Sequence, residues 1–222
     1  MASFIRLKIS VFLFILSLLF IGWIPLSYAA TLFEAARDGQ IDTVRTLLDE
    51  GENLNLKYDE YEGQTALMAA TYNGYKEIVE LLLSRGAEID EKDNWKFTAL
   101  MIAANKGYKE IAELLLTKGA KINAINRFGI TALMIAANKG QKDIVELLLA
   151  NDADINIKDG YGDTALMHAV EKGHKEIVAL LLDKGAEVNV REKLYHETPL
   201  MKAEKHGYKD IVELLKKSGA KE

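Results

Sequence analysis

The sequence predicts an all-α fold, a solenoid of about six helix-turn-helix repeats, from three observations. Similar segments recur with their threonines spaced 33, 33, 33 and 34 residues apart, a period typical of solenoids. Each segment contains two short runs with helical spacing of apolar residues, separated by a glycine. Cysteine is absent from all 222 residues, so disulfides and thiolate metal sites are excluded. Stability must therefore come from repeated packing. The marker threonines are Thr65, Thr98, Thr131, Thr164 and Thr198.

Residues 1–29 have the order of a secretory signal peptide. Two basic residues precede a nearly unbroken apolar run from Ile9 to Ile24, and a proline and small residues follow. We predict cleavage between Ala29 and Ala30 and export of the rest, to a periplasmic or secreted location. An uncleaved membrane anchor stays open as an alternative, because residues 9–26 are 18 residues long, at the lower limit for spanning a bilayer.

The charge balance argues against nucleic acid as a partner. The whole chain carries −5, and residues 1–29 hold Arg6 and Lys8 without any acid, so the remainder carries −5 − 2 = −7. A negative surface repels phosphate backbones. We expect no nucleic-acid partner, and a membrane partner only if the signal segment is not cleaved.

Within each repeat, the residues predict where two helices begin and end. Thr65 can cap the first helix by accepting the backbone N–H of Met68. Gly74 can end that helix, because glycine tolerates the positive φ of a tight turn. A second, amphipathic helix follows and closes at Gly86. Asp152 stands where the other copies have this glycine, and it also tolerates that conformation.

The repeated segments resemble the ankyrin repeat family. Five copies match, among them "GQTALMAATYNGYKEIVELLLSRGAEID" and "KFTALMIAANKGYKEIAELLLTKGAKIN", and a partial copy precedes them, so that the resemblance covers nearly all of residues 31–222. Alanine replaces the family's proline in four of five copies. The resemblance implies that β-hairpin loops join the repeats and that the hairpin tips, with the exposed side of each first helix, bind other proteins. Together with the signal segment, the repeats divide the chain into a signal peptide (1–29) and a repeat domain (30–222). The repeats lie near 30–62, 63–95, 96–128, 129–161, 162–195 and 196–222.

The two ends of the array look polar. At the start, Arg37 and Asp38 replace softer residues of the inner copies, and at the end Lys216 takes the place of a leucine that recurs in the four copies before it. Terminal repeats with polar outer faces cap a solenoid. We therefore expect a monomer.

An aromatic column marks the candidate binding surface. Three residues before each threonine, four of five positions are aromatic, and two further apolar residues lie directly before the threonines of the middle repeats. Such side chains dominate protein interfaces. Alternatively, neighbouring rings stack between tips and only stiffen the array. The candidates are Trp95, Phe128, Tyr161 and Tyr195, with Tyr61 one place off the column, and Phe97 and Ile130 before the threonines.

A basic column precedes the glycines that end the first helices. Lys106, Lys139 and Lys172 would align beside the aromatic tips and suit an acidic partner. Cations at a helix C-terminus are also favourable by themselves, by ~0.3–1 kcal/mol each. Both interpretations stay open.

Catalytic and metal chemistry find little support. The only serines after residue 29 are Ser84 and Ser218, and neither lies in a Gly-x-Ser-x-Gly motif. The four histidines share no common spacing, whereas a metal needs three or four convergent ligands. We expect a protein-binding scaffold without catalytic residues, metal or cofactor. The alternatives are a secreted effector acting on a host protein, a membrane-tethered assembly scaffold and, from another class, a small-molecule or metal-dependent enzyme.

Overall fold

A computed structural model of the protein describes residues 30–221. The predicted signal segment, residues 1–29, lies outside the described residues, and so does Glu222. The described part forms twelve α-helices in consecutive pairs, which confirms the predicted all-α solenoid. The helices are α1 (Leu32–Arg37), α2 (Ile41–Asp49), α3 (Ala66–Asn73), α4 (Lys76–Ser84), α5 (Ala99–Lys106), α6 (Lys109–Thr117), α7 (Ala132–Lys139), α8 (Lys142–Ala150), α9 (Ala165–Glu171), α10 (Lys175–Asp183), α11 (Pro199–Lys205) and α12 (Lys209–Lys217), with a single 3-10 turn at Asp59–Tyr61.

The predicted caps form at both ends of α3, α5 and α7, whereas α9 and α11 keep the threonine cap but have Lys172 and His206 as C-cap residues, one residue before the glycine. The N–H of Met68 donates to Thr65 Oγ1 over 3.4 Å, and the four later threonines accept in the same way. Gly74 lies in the left-handed region at φ 80°, and Asp152 adopts φ 62° in place of the usual glycine. A short oxygen-bearing side chain tolerates this conformation better than most.

The core forms because neither helix of a repeat can bury its apolar surface alone. In α3 six of the eight residues are buried, and the first helices pack on one another from repeat to repeat. The second helices pack in a parallel row and bury one side, as α4 does with Ile78, Val79 and Leu82 while Glu80 faces water. Full burial of each such aliphatic side chain contributes about 1.5–3 kcal/mol. The result is one continuous core through the described repeats.

The loops between repeats are tight hairpins closed by few backbone hydrogen bonds. Tyr58 and Gln64 form an isolated antiparallel bridge, and within residues 30–221 no longer strand is present. In the next loop the N–H of Asp93 donates to the carbonyl of Phe97 over 3.1 Å. The hairpins implied by the family resemblance are therefore present as turns rather than as extended ribbons.

The last helix has a polar outer side. Lys216 is exposed in α12, and its ammonium lies 3.1 Å from the carboxylate of Glu204. Among the helices of the described region, none combines the length and the apolar character needed to cross a bilayer.

Candidate functional site

A buried side chain holds each of the last four hairpins in shape. The Oδ1 atom of Asn126 accepts the N–H groups of Phe128 and Ile130 over 2.9 and 3.0 Å, and Asn126 is only 3% exposed. The Oδ1 atom of Asp93 likewise accepts the N–H groups of Trp95 and Phe97, over 2.9 and 2.8 Å. These bonds fix the backbone at the tip, because an amide buried without an acceptor is costly. The four residues are Asp93, Asn126, Asp159 and Glu192, and we call them the hairpin staples.

Burial and hydrogen bonding shift the pKa values of two staples, Asp93 and Asp159, in opposite directions. Burial raises the pKa of Asp93 above its usual value, although the amides of Phe97 and Trp95 oppose this. Burial acts in the same direction on Asp159, but hydrogen bonds from His168 and from backbone amides outweigh it and lower the pKa. The difference arises because His168 Nε2 lies 3.0 Å from Asp159 Oδ2.

Backbone hydrogen bonds also join neighbouring hairpins. The N–H of Arg127 donates to the carbonyl of Trp95 over 2.9 Å, and that of Gly160 donates to the carbonyl of Phe128 over 2.8 Å. Equivalent bonds reach the carbonyls of Glu62 and Tyr161. Of the tip residues singled out from the sequence, Trp95, Phe128 and Tyr161 accept these bonds, so the backbone of each is held by the hairpin that follows it.

The aromatic tips are both stacked and exposed. The rings of Trp95 and Phe128 lie nearly parallel with centroids 6.1 Å apart, yet the two residues remain 40% and 43% exposed. Trp95 Nε1 donates to Glu62 over 3.0 Å, and the Arg127 guanidinium lies 5.5 Å from the indole centroid. Both sequence interpretations describe part of what is seen, because the pair stiffens adjacent tips while presenting ring surface to solvent.

The other tip tyrosines differ from this pair. Tyr161 and Tyr195 are 61% and 73% exposed. Tyr61 is half-buried, and its ring stacks on Phe33 at 4.3 Å while its hydroxyl accepts from Arg37 over 2.8 Å. Tyr61 is therefore tied to the first repeat, and the exposed aromatic surface lies on the tips that follow.

Phe97 and Ile130 converge on a pocket beside the first helices of the middle repeats. This pocket has a volume of about 270 Å³ and shares Ile135 of α7 and His168 of α9. Phe97 and Ile130 are half-buried and pack against the core. Their side chains line a depression between the hairpin tips and the first helices, next to the threonines that they directly precede.

The basic column is not uniform. The ammonium of Lys106 lies 3.5 Å from the ring centroid of Tyr72, a cation–π contact. Lys139 lines the pocket and Lys172 is exposed, and neither forms an ion pair within residues 30–221. Where the column ends, His206 Nε2 lies 3.2 Å from Glu171.

In the last two repeats, an ionic cluster lies where the middle repeats have exposed rings and the pocket. Lys202 Nζ lies 3.4 Å from Asp163, 3.7 Å from Glu171 and 3.9 Å from Glu197. Burial raises the pKa of Asp163, and the nearby Lys202 ammonium opposes this effect. The carboxylates and cations of this region mainly satisfy one another.

Sequence reasoning missed the hairpin staples and the ionic cluster. The staples had a detectable signal, since Asp93, Asn126, Asp159 and Glu192 follow one another at intervals of 33 residues, and Asp and Asn favour such turns. The ionic cluster had none, because Lys202 meets carboxylates from three different segments. Within the described region, no group of three or more His, Cys, Asp or Glu side chains is arranged to hold a metal ion.

Comparisons with known proteins agree with this architecture. The family model described as "Ankyrin repeats" matches in three copies, over residues 32–126, 88–159 and 133–222. The chain is 46% identical over 61 residues to Ankyrin repeat and SAM domain-containing protein 6 of Rattus norvegicus, covering 28% of this chain and 7% of that protein. It is 41% identical over 69 residues to Ankyrin repeat and KH domain-containing protein mask-1 of Caenorhabditis elegans, covering 31% and 3%. It is 42% identical over 67 residues to Serine/threonine-protein kinase 12 of Arabidopsis thaliana, covering 30% and 14%. The matches thus span only a small part of these relatives.

Proposed function

Because this chain belongs to the ankyrin repeat family, a generic protein-interaction module, we propose that it is a non-catalytic scaffold that binds a partner protein outside the cytoplasm. The surface used is formed by the hairpin tips and by the exposed side of the first helices. The partner contacts the exposed rings of the middle repeats and the pocket beside them.

One observation supports this proposal most directly. Trp95 and Phe128 are fixed by stapled, hydrogen-bonded hairpins and still leave about two fifths of their surface in water. Exposed aromatic surface costs free energy in an unbound protein, whereas a pre-ordered tip loses little entropy when a partner covers it. Rigid exposed rings are therefore better suited to binding than to stability alone.

The location outside the cytoplasm is supported by the order of residues 1–29. Basic residues, an apolar run and a small-residue site are arranged as in a signal peptide. The proposed cleavage lies between Ala29 and Ala30. Such a protein works in the periplasm or after secretion, and a secreted effector that binds a host protein is a special case of the same function.

A membrane-tethered scaffold is the second candidate. It is favoured by the 18-residue length of the apolar stretch 9–26. In that case the repeats would still bind a protein, but they would do so next to a bilayer.

A paired measurement tests the binding surface. The double variant Trp95→Ala/Phe128→Ala should weaken partner capture by at least ~2 kcal/mol, as the loss of interface aromatics does. The stacking lost is worth only about 0.5–1.5 kcal/mol, so the melting temperature should fall by a few degrees, at roughly 2–4 °C per kcal/mol.

Capture from an envelope extract and thermal unfolding are measured on the same samples. The control Glu80→Ala changes an exposed residue of a second helix and should alter neither result. If the double variant unfolds far below the parent while its capture is intact, the rings are structural and the proposed surface is wrong.

A further inference from the structure

The middle of the proposed binding surface is basic, although the protein is acidic. Two 13-residue stretches, 94–106 and 127–139, each span a hairpin tip and the following first helix. Together they contain four cations and no acid, whereas the whole chain has a net charge of −5. The equivalent stretches of the other repeats each carry at least one carboxylate. The four cations are Lys96, Lys106, Arg127 and Lys139.

These cations are not neutralised by the protein itself. Lys96, Lys106 and Lys139 form no ion pair within the described residues. Lys106 and Arg127 instead lie over the faces of Tyr72 and Trp95. A cation on an aromatic face keeps much of its charge available to an approaching anion. The four cations, which we call the basic patch, therefore have no ion-pair partner among residues 30–221. The carboxylates of Glu62 and Asp93, which reach these hairpins, accept hydrogen bonds from Trp95 Nε1 and from the tip amides instead.

The pocket in this patch has the size and lining for one apolar side chain. Its volume of about 270 Å³ is below the range usual for whole small-molecule ligands. Phe97, Ile130, Met134 and Ile135 supply an apolar floor. The polar part of the lining is Asn105, Asn138, Lys139 and His168, without any carboxylate.

The two asparagines offer groups that a peptide backbone can use. Asn105 and Asn138 are half-buried at equivalent positions of successive repeats, and each amide side chain can donate and accept. A bound segment running past both helices would find such an amide in each repeat. An amide ladder next to an apolar pocket favours a polypeptide over a free ion.

We propose that the central repeats bind an acidic peptide segment, which places one large apolar side chain in the pocket and its carboxylates against Lys106 and Lys139. This inference rests on the proposed function and specifies the chemistry of the partner. The ionic cluster around Lys202 offers no comparable unpaired cations, so recognition centres on the third and fourth repeats. The negative charge of the segment raises its association rate and orients the segment on the central repeats.

Selection from a random dodecapeptide library on the immobilised full chain tests the proposal. We expect enriched peptides with a Leu, Ile, Met or Phe flanked by Asp or Glu. In fluorescence polarisation the best peptide should bind at least tenfold more weakly, equivalent to about 1.4 kcal/mol, to the variants Lys139→Glu and Ile130→Ala. Added salt should weaken the parent complex as well.

Matched controls separate site effects from general ones. Lys118→Glu makes the same charge change at an exposed position after α6, outside the pocket lining, and should leave affinity within twofold. The double variant Lys106→Glu/Lys139→Glu should select peptides with lysine or arginine in place of the acids. Circular dichroism confirms that each variant is folded before its affinity is compared.

Several results would overturn the inference. Two of them come from the selection: no peptide is enriched, or the enriched peptides carry no net negative charge. The other two come from binding: the affinity of the best peptide is unchanged by Ile130→Ala, or heparin displaces the peptide equally well from the parent and from Ile130→Ala. The proposed function is judged separately, because peptides or proteins that depend on Trp95 and Phe128 but not on Lys139 would retain the interaction scaffold and reject only this pocket.

Discussion

The substitution Asn126→Ala tests whether the hairpin staples pre-order the binding surface. It removes the one oxygen that accepts the N–H groups of Phe128 and Ile130, over 2.9 and 3.0 Å. It leaves the rings and the pocket side chains unchanged. A loss of binding would therefore report on the order of the tip rather than on the contact surface.

The expected cost follows from the groups left unpaired. Each buried amide without an acceptor costs about 1–3 kcal/mol, and water reaching this surface hairpin places both amides in the lower half of that range, about 3 kcal/mol together. Removing Asn126 also deletes its own buried Nδ2 atom, which has no hydrogen-bond partner within the described residues, and this offsets part of the loss. The net destabilisation should be about 2 kcal/mol, which corresponds to a fall in melting temperature of about 4–8 °C.

Amide hydrogen exchange locates the effect. If opening of the hairpin is the event, exchange at Phe128 and Ile130 should accelerate by about 30-fold, the factor equivalent to 2 kcal/mol. The control Asn123→Ala removes a single acceptor, that of the Asp154 N–H at 3.0 Å in an exposed loop, and should cost less than about 1 kcal/mol. Unchanged protection at both amides, with a melting temperature shifted by less than about 1 °C, would refute the reasoning.

Three further predictions concern other parts of the chain. Lys96→Gly and Asp152→Gly should each raise stability by about 0.5–1 kcal/mol in urea unfolding, since both residues have φ 62°, whereas a loss of stability in both would show that the conformation is not strained. Asp159→Asn should lower the free energy of unfolding by about 1.5–3 kcal/mol at pH 7. The folded pKa of Asp159 lies below its ordinary 3.8, so the stabilisation by its carboxylate is complete above pH 3.8 and is lost as pH falls through the folded pKa. The stabilities of the parent and the variant should therefore converge in acid, and a difference that does not change with pH would contradict the assignment. N-terminal sequencing of exported protein should begin at Ala30, and an intact Met1 in a membrane fraction would instead support the tethered scaffold.

The ionic cluster near the C-terminal end has a different role from the basic centre. Lys202 lies among Asp163, Glu171 and Glu197, and its side chain is largely buried. Removing its charge would leave carboxylates close together with less compensation, which is costly in a half-buried setting. This part of the surface is thus held by its own charges, whereas the cations of the centre are the ones that we propose bind a partner.

Much of the fold was predictable because its signals are local and repeated. A threonine caps the helix that it precedes, a glycine ends that helix, and leucines three or four residues apart share one side. None of these relations depends on distant segments. The period of 33 residues then makes every repeat the neighbour of a similar one. The helices, caps and core were therefore predicted and found.

The candidate site was predictable only as columns of residues. Trp95, Phe128 and the pocket residues Phe97 and Ile130 were identified by position, yet position alone left open whether the rings stack or face solvent. The hairpin staples carried a periodic signal that went unused. The placement of Lys106 on Tyr72 had no signal at all, since the two residues belong to different repeats.

The amino-acid sequence by itself determined the number of repeats, the helix boundaries and the alternation of buried and exposed positions, because each depends on backbone preferences and apolar spacing within a few residues. Only the tertiary structure decided that Trp95 and Phe128 stack while remaining exposed, and that Asp159 is paired with His168. It also decided that Lys139 lines a pocket and forms no ion pair within residues 30–221. The physical reason is that stacking, desolvation and ion pairing depend on side-chain rotamers chosen against the neighbouring repeat, and a 33-residue period specifies which residues are neighbours without specifying how they meet.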